Sequence, residues 1–239
     1  MTSSAHLPAG GGAVTSTRRE PPDSLDYYPT PPWATRALCA IVLGAASGLD
    51  VRPSRTCWEP AAGEGHMAEV LREYFRDVHA SDVFDYGRGY AVGSFTGGGF
   101  DQASPPFQPD WIITNPPFNE AEAFALRALQ EARVGVALLT RAVWALETAE
   151  RYEQLFRRYP PDIVAPFVER CPMHRGRWEP DGDTTTCYAW TVWRLPTHER
   201  RATTLRWIPP GQRRRLERAD DRRRFGPPSP PAPLLEGLS

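Results

Sequence analysis

The chain has 239 residues, 41% of them hydrophobic, with a formal net charge of −1. That length holds one domain with a real core, alone or with tails. No apolar run is long enough to span a membrane, and the N-terminus lacks a signal-peptide core. Cys39, Cys57, Cys171 and Cys187 show no paired spacing, so reduced thiols and a cytoplasmic protein are expected. All 28 basic residues are Arg. A GC-rich genome accounts for that bias, although Arg also suits phosphate contacts where they occur.

Residues 1–24 are rich in Ser, Gly, Pro and Thr, bury little and are expected to be disordered. A domain over 25–197 follows. It opens on Asp26-Tyr27-Tyr28-Pro29-Thr30-Pro31-Pro32-Trp33, an extended segment stiffened by proline. Thr30 with Pro31 and Pro32 starts a helix from about Trp33 to Ala46, with Ala37, Leu38, Ile41, Val42 and Ala45 on its apolar face. Thr56-Cys57-Trp58-Glu59 then reads as a strand running into Pro60-Ala61-Ala62-Gly63-Glu64-Gly65, a turn before a second helix. Gly63 and Gly65 permit positive φ and close approach of a ligand to the backbone. The turn is neither the dinucleotide fingerprint nor a phosphate loop. Glu59 at the strand end would repel a phosphate and suits a cation, such as a sulfonium or an α-ammonium.

Val78-His79-Ala80-Ser81-Asp82-Val83 reads as a second strand. Asp82 stands where an acid holds a ribose diol, or else it caps a loop. Residues 87–99 read as loop, and Phe100-Asp101-Gln102 as the end of a third, weak strand that points Asp101 at an adenine amino group. Asp110-Trp111-Ile112-Ile113-Thr114 is the fourth strand, stopped by Asn115-Pro116-Pro117-Phe118. A helix over about Glu120–Ala132, a continuous apolar strand over Val134–Thr140, a helix over Thr148–Tyr159 and a strand over Ile163–Val168 follow. Thr185–Trp193 is a strong β segment, expected to be antiparallel at the sheet edge. Between the last two strands, Arg175, Arg177 and Trp178 place basic residues beside an aromatic, a pattern that can grip a polynucleotide; a plain surface loop is the alternative. Cys171-Pro172-Met173-His174 has zinc-ligand spacing without a matching pair, so no metal is expected. Residues 198–239 are rich in Arg and Pro. From residue 199 on, ten Arg face five acids. This reads as a largely disordered, solvated tail that adds sequence-independent phosphate affinity.

The Asn115-Pro116-Pro117 elbow gives that order its chemistry. Pro116 and Pro117 hold an extended backbone at a strand's carboxyl end, where open α/β sheets bind ligands. An amide oxygen and the Pro116 carbonyl are both acceptors. Side by side they take the two N–H bonds of an exocyclic amine and free its lone pair, while Phe118 stacks on the ring that carries it. Asn-Pro-Pro is also an ordinary turn sequence.

Glu59-Pro60-Ala61-Ala62-Gly63-Glu64-Gly65, Asp82, Asp101 and Asn115-Pro116-Pro117-Phe118, in that order, resemble the S-adenosylmethionine-dependent adenine-N6 DNA methyltransferases. The likeness runs from about Asp26 to Trp193, and Tyr188–Trp193 is similar to phage and prophage members. It implies a Rossmann-like class I methyltransferase fold, α/β, with a mostly parallel sheet between helices. S-adenosyl-L-methionine would lie against Tyr28, Thr30, Glu59, Pro60, Ala61, Gly63, Gly65, Asp82, Val83 and Asp101. Asn115, Pro116, Pro117 and Phe118 would carry methyl transfer to an adenine flipped out of DNA, with Phe118, Arg175, Arg177 and Trp178 on the substrate. Two departures bear on specificity. No room lies between Asp101 and Asn115 for a target-recognition domain, and Gln102 stands where the family often has an aromatic. RNA bases or a protein glutamine are alternative substrates for such an elbow. A non-catalytic nucleic-acid-binding protein is the alternative of another kind.

Overall fold

The structure, a computed structural model, describes residues 26–44, 55–97, 103–197 and 202–226. The expectations for residues 1–24, for Asp101 and for Gln102 lie outside the described residues.

Short apolar runs dictate the sheet. Thr56–Glu59 (β1) and Trp111–Thr114 (β4) are buried at every residue, and Gly135–Arg141 (β5) at all but Arg141. Strands of this kind need cover on both faces, which helices on a parallel sheet provide. With Asp77–Asp82 (β2) and Ala91–Val92 (β3) they form a parallel run in the order β3-β2-β1-β4-β5. β3 falls in the stretch expected to be loop; two paired residues leave no alternation to read.

Tyr188–Arg194 (β7) lies inside the sheet rather than at its edge. It runs antiparallel between β5 and Ile163–Pro166 (β6), and Thr204–Leu205 (β8) pairs with β6 beyond it. Both faces of β7 are apolar, so neither can meet water. Tyr188, Trp190 and Val192 join the core on one side, and Trp193 joins the core on the other.

The period-two pleat sorts residues between these two layers. Trp111 and Ile113 face Pro32–Ala37 (α1), the wide turn Leu38–Val42, and His66–Leu71 (α2). Ile112, Val136 and Leu138 face Ala121–Glu131 (α3) and the wide turn Tyr152–Phe156. The remaining short helices are Ala142–Leu146 (α4), Ala149–Arg151 (α5), Gln212–Leu216 (α6) and Asp221–Phe225 (α7).

The expectation of a disordered stretch from residue 198 onward needs correction over 202–226, which packs on the α1 face. The reason is Arg36. It sits on α1 at 1% exposure, and a buried guanidinium needs carboxylates. Asp221, fully buried, supplies two contacts at 2.6 and 2.8 Å, and Glu73 supplies two at 2.9 Å. The Leu216 carbonyl accepts a further bond at 2.9 Å. Composition alone reads ten arginines as solvated; it does not reveal the acid among them that an inward-facing Arg requires.

Candidate active site

The turn after β1 is held by backbone and by one acid. Ala62 N–H donates to the Ser81 carbonyl at 3.0 Å, and Gly65 N–H donates to that of Ala62 at 2.7 Å. Gly63 and Gly65 have φ of +54° and +88°, a region that favours glycine. Asp82, at the end of β2, accepts the Gly63 N–H on Oδ2 at 2.8 Å and the Phe84 N–H on Oδ1 at 3.0 Å. The acid expected to hold a ligand thus also pins the loop. A third backbone bond comes from Val83. Burial raises its pKa, and these backbone bonds oppose the rise.

Tyr27 lies across the loop. A Cβ at Gly63 would stand 2.2 Å from the Tyr27 ring, so only glycine allows this approach. His66 Nε2 lies 3.0 Å from the Phe225 carbonyl, which can only accept, so Nε2 carries the proton. Nδ1 then accepts the Tyr27 O–H at 3.2 Å. Through this pair α7 touches the loop.

Glu59, 2% exposed, ends β1 with its Oε2 buried and unpartnered among the described residues. Burial, then the charge of Asp82, holds its carboxyl well above the usual carboxylate range. Tyr28, Thr30, Glu59, Pro60, Ala61, Asp82 and Val83 share the lining of one cleft with Asn115 and Pro117. Gly63 and Gly65 shape the turn behind it.

Two prolines end β4 and hold the elbow. Asn115 Nδ2 donates to the Tyr28 carbonyl at 2.9 Å and lies 3.8 Å from Met173 Sδ. Its Oδ1 is buried with no hydrogen-bond partner among the described residues. Pro116 is buried. Phe118 N–H donates to Asp26 Oδ2 at 2.7 Å, and its ring lies 5.1 Å from that of Tyr28. The ring lines a second cleft, together with Thr140, Arg141, Val143, Trp144, Glu147 and Thr148.

The expected substrate contacts divide. Arg175 and Arg177 are exposed and line neither cleft. They sit on a turn whose Gly176 N–H donates to the Tyr27 carbonyl at 2.9 Å, at the rim of the first cleft. Arg177 pairs with Glu179 at 2.5 Å. Trp178 is not a stacking platform: at 4% exposure it packs against Val70 and Phe225. An aromatic between arginines looks the same in sequence whether it meets a base or a helix. The Cys171–His174 stretch contributes packing, with Cys171 and Met173 buried. No group of three or more His, Cys, Asp or Glu among the described residues could hold a metal. Asp26, Tyr27 and Arg141 join the expected residues at the site. The first two adjoin the Tyr28–Pro31 motif, which was the available signal.

No protein-family model matches the chain, and no curated protein matches it. Solved structures do. The type I restriction enzyme EcoKI M protein matches with a TM-score of 0.50 at 13% identity, over 73% of this chain and 46% of that one. A predicted O-methyltransferase, protein Atu636 from Agrobacterium tumefaciens, matches with 0.47 at 13% identity, over 74% and 85%. A dimethyladenosine transferase from Plasmodium falciparum matches with 0.44 at 14%, over 70% and 63%. The chain spans about half of the first of these, and that likeness carries the fold. The fold is α/β, Rossmann-like, of the class I methyltransferase type.

Proposed function

We propose that the chain transfers a methyl group from S-adenosylmethionine to the N6 amino group of adenine in DNA. One observation carries this reading. Asn115 spends its amide N–H on Tyr28, which turns Oδ1 into a fixed, unpartnered acceptor at the end of β4. An exocyclic amine is the donor such an acceptor lacks. The choice of adenine and of DNA is supported by the likeness of Asn115-Pro116-Pro117-Phe118 to the adenine-N6 enzymes. The fold supports methyl transfer as the class of reaction.

The cleft fits the cofactor. Asp82 lines the cleft as a carboxylate that can still accept from a ribose hydroxyl, and the unpartnered Glu59 Oε2 suits a cationic group. Tyr28 and Thr30 share the lining of that cleft. When bound, S-adenosylmethionine supplies an activated methyl group, released as the C–S electron pair returns to sulfur. Asn115 Oδ1 and the Pro116 carbonyl orient the amine so that its lone pair points at the methyl carbon. Phe118 holds the base plane. The proton left on nitrogen after attack goes to solvent, so no side chain need act as a base beforehand. Alignment and preset dipoles supply the rate.

Glu59 gives this reading a thermodynamic signature. Its raised pKa means that the free protein keeps a proton there at pH values where an ordinary carboxyl has lost it. A cationic ligand beside the carboxyl lowers that pKa, so cofactor binding should release a proton. Titration calorimetry at one pH in buffers of different ionisation enthalpy should give different apparent enthalpies, and Glu59→Gln should remove the difference. Equal enthalpies for the wild type would take Glu59 off the cation.

Among the described residues no helix is long and apolar enough to cross a membrane; a cytoplasmic site of action belongs to the proposal. The reading is tested by incubating the protein with methyl-labelled S-adenosylmethionine and DNA, RNA or protein. Label in DNA is the expected result. Label only in RNA or protein would move the proposal to those alternative substrates, and no label from folded protein would favour the non-catalytic alternative.

A further inference from the structure

The second cleft holds a group that neither packs the core nor pairs an acid. Arg141, at the end of β5, is exposed and has no carboxylate partner among the described residues. Its guanidinium lies over the Phe118 ring, 4.3 Å from the centroid. The walls around it are built rather than loose. Arg151 donates to the carbonyls of Trp144 and Glu147 at 2.7 and 2.8 Å, which ties down the end of α4, and it stacks on Trp144 at 4.9 Å. Thr148, also in the lining, is held at φ +94°, a strained conformation of the kind that clusters at functional sites. Thr140, in the same lining, has a buried Oγ1 without a hydrogen-bond partner among the described residues.

A planar guanidinium and a planar nucleobase are alternative occupants of one aromatic face. Base stacking on an aromatic ring is stronger than an exposed cation–π contact, so an arriving base wins the face. The displaced cation is left with Glu147 as the acid in the same lining, and the strand that carries the base brings phosphates as competing partners. A guanidinium matches a phosphate in bidentate geometry.

We propose that Arg141 holds the place of the target base: it covers Phe118 in the free protein, yields that face to a nucleobase entering the second cleft, and then pairs with a phosphate of the same strand. This inference rests on the methyl-transfer reading and specifies how its substrate is engaged.

The test measures binding of a fluorescent oligodeoxyadenylate by anisotropy over a series of salt concentrations. For a single strand, each neutralised phosphate contributes about 0.7 to the slope of log affinity against log salt. Arg141→Ala should lower that slope by about 0.7 and weaken binding at low salt, with affinity for S-adenosylmethionine unchanged. Arg141→Lys should restore the slope, because it returns the charge. Arg141 is exposed, so neither variant threatens the fold. An Arg141→Ala slope equal to the wild-type slope, in a protein that methylates DNA, would overturn the inference and leave the methyl-transfer reading intact. A wild-type protein that neither methylates DNA nor binds the oligonucleotide would overturn both.

Discussion

Asn115→Ala is expected to lower the turnover rate by at least ~10²-fold, the scale seen when one preorganised polar partner of a transition state is removed. Alanine tolerates the extended backbone before Pro116, so the elbow keeps its course. What goes is Oδ1, the buried acceptor without a partner. The variant also loses the bond from Nδ2 to the Tyr28 carbonyl. A neutral bond of this kind contributes about 1 kcal/mol, less than a tenfold change in an equilibrium. Cofactor affinity should therefore move by less than about tenfold while the rate falls much further. Stopped single turnovers and calorimetry separate the two. A rate within about threefold of the wild type would remove Asn115 from the chemistry; equal losses in rate and in cofactor affinity would assign it to the pocket wall.

The second large effect concerns stability. Arg36→Ala should destabilise the protein by about 3–5 kcal/mol, because it leaves Asp221 charged and fully buried without its guanidinium, with the Arg218 N–H as its remaining donor. For a domain of this size the unfolding midpoint should drop by roughly 6–20 °C. The double variant Arg36→Met with Asp221→Leu should recover part of the loss, since it removes both charges rather than one. Denaturant and thermal unfolding read both results. A loss under about 1 kcal/mol for Arg36→Ala would mean that 211–226 is not docked on α1. The same contact changes what truncation does. Cutting after Pro196 removes Asp221 and the Phe225 carbonyl that orients His66, and through it Tyr27 over the Gly63 turn. Such a truncation should weaken cofactor binding, and not phosphate affinity alone.

These two regions show where sequence carries information and where it does not. Asn115-Pro116-Pro117, the Gly63–Gly65 turn and Asp82 are legible because local backbone rules fix them: proline ends a strand, glycine permits positive φ, and an acid ends the next strand. Strands β1, β4 and β5 are legible for a similar reason, being short and apolar, whereas the two-residue β3 is not. The partners of Arg36 are not legible. They lie 37 and 185 residues away, and no local pattern distinguishes an Asp that will be fully buried from its neighbour Asp220. The place of Trp178 is not legible either: its surroundings in sequence are basic, while its surroundings in space are Val70 and Phe225. The interior place of β7 is legible only in Trp190 and Trp193, which lie on opposite faces and so require cover on both sides.

The central claim, methyl transfer to the N6 amine of adenine in DNA, has a direct measurement. DNA treated with the protein and S-adenosylmethionine is digested to nucleosides and separated by chromatography, with the Asn115→Ala variant alongside. The account predicts 6-methyladenine from the wild type and at least ~10²-fold less from the variant in the same time. Recovery of 4-methylcytosine instead, or of no modified nucleoside from folded wild-type protein that binds the cofactor, would contradict it.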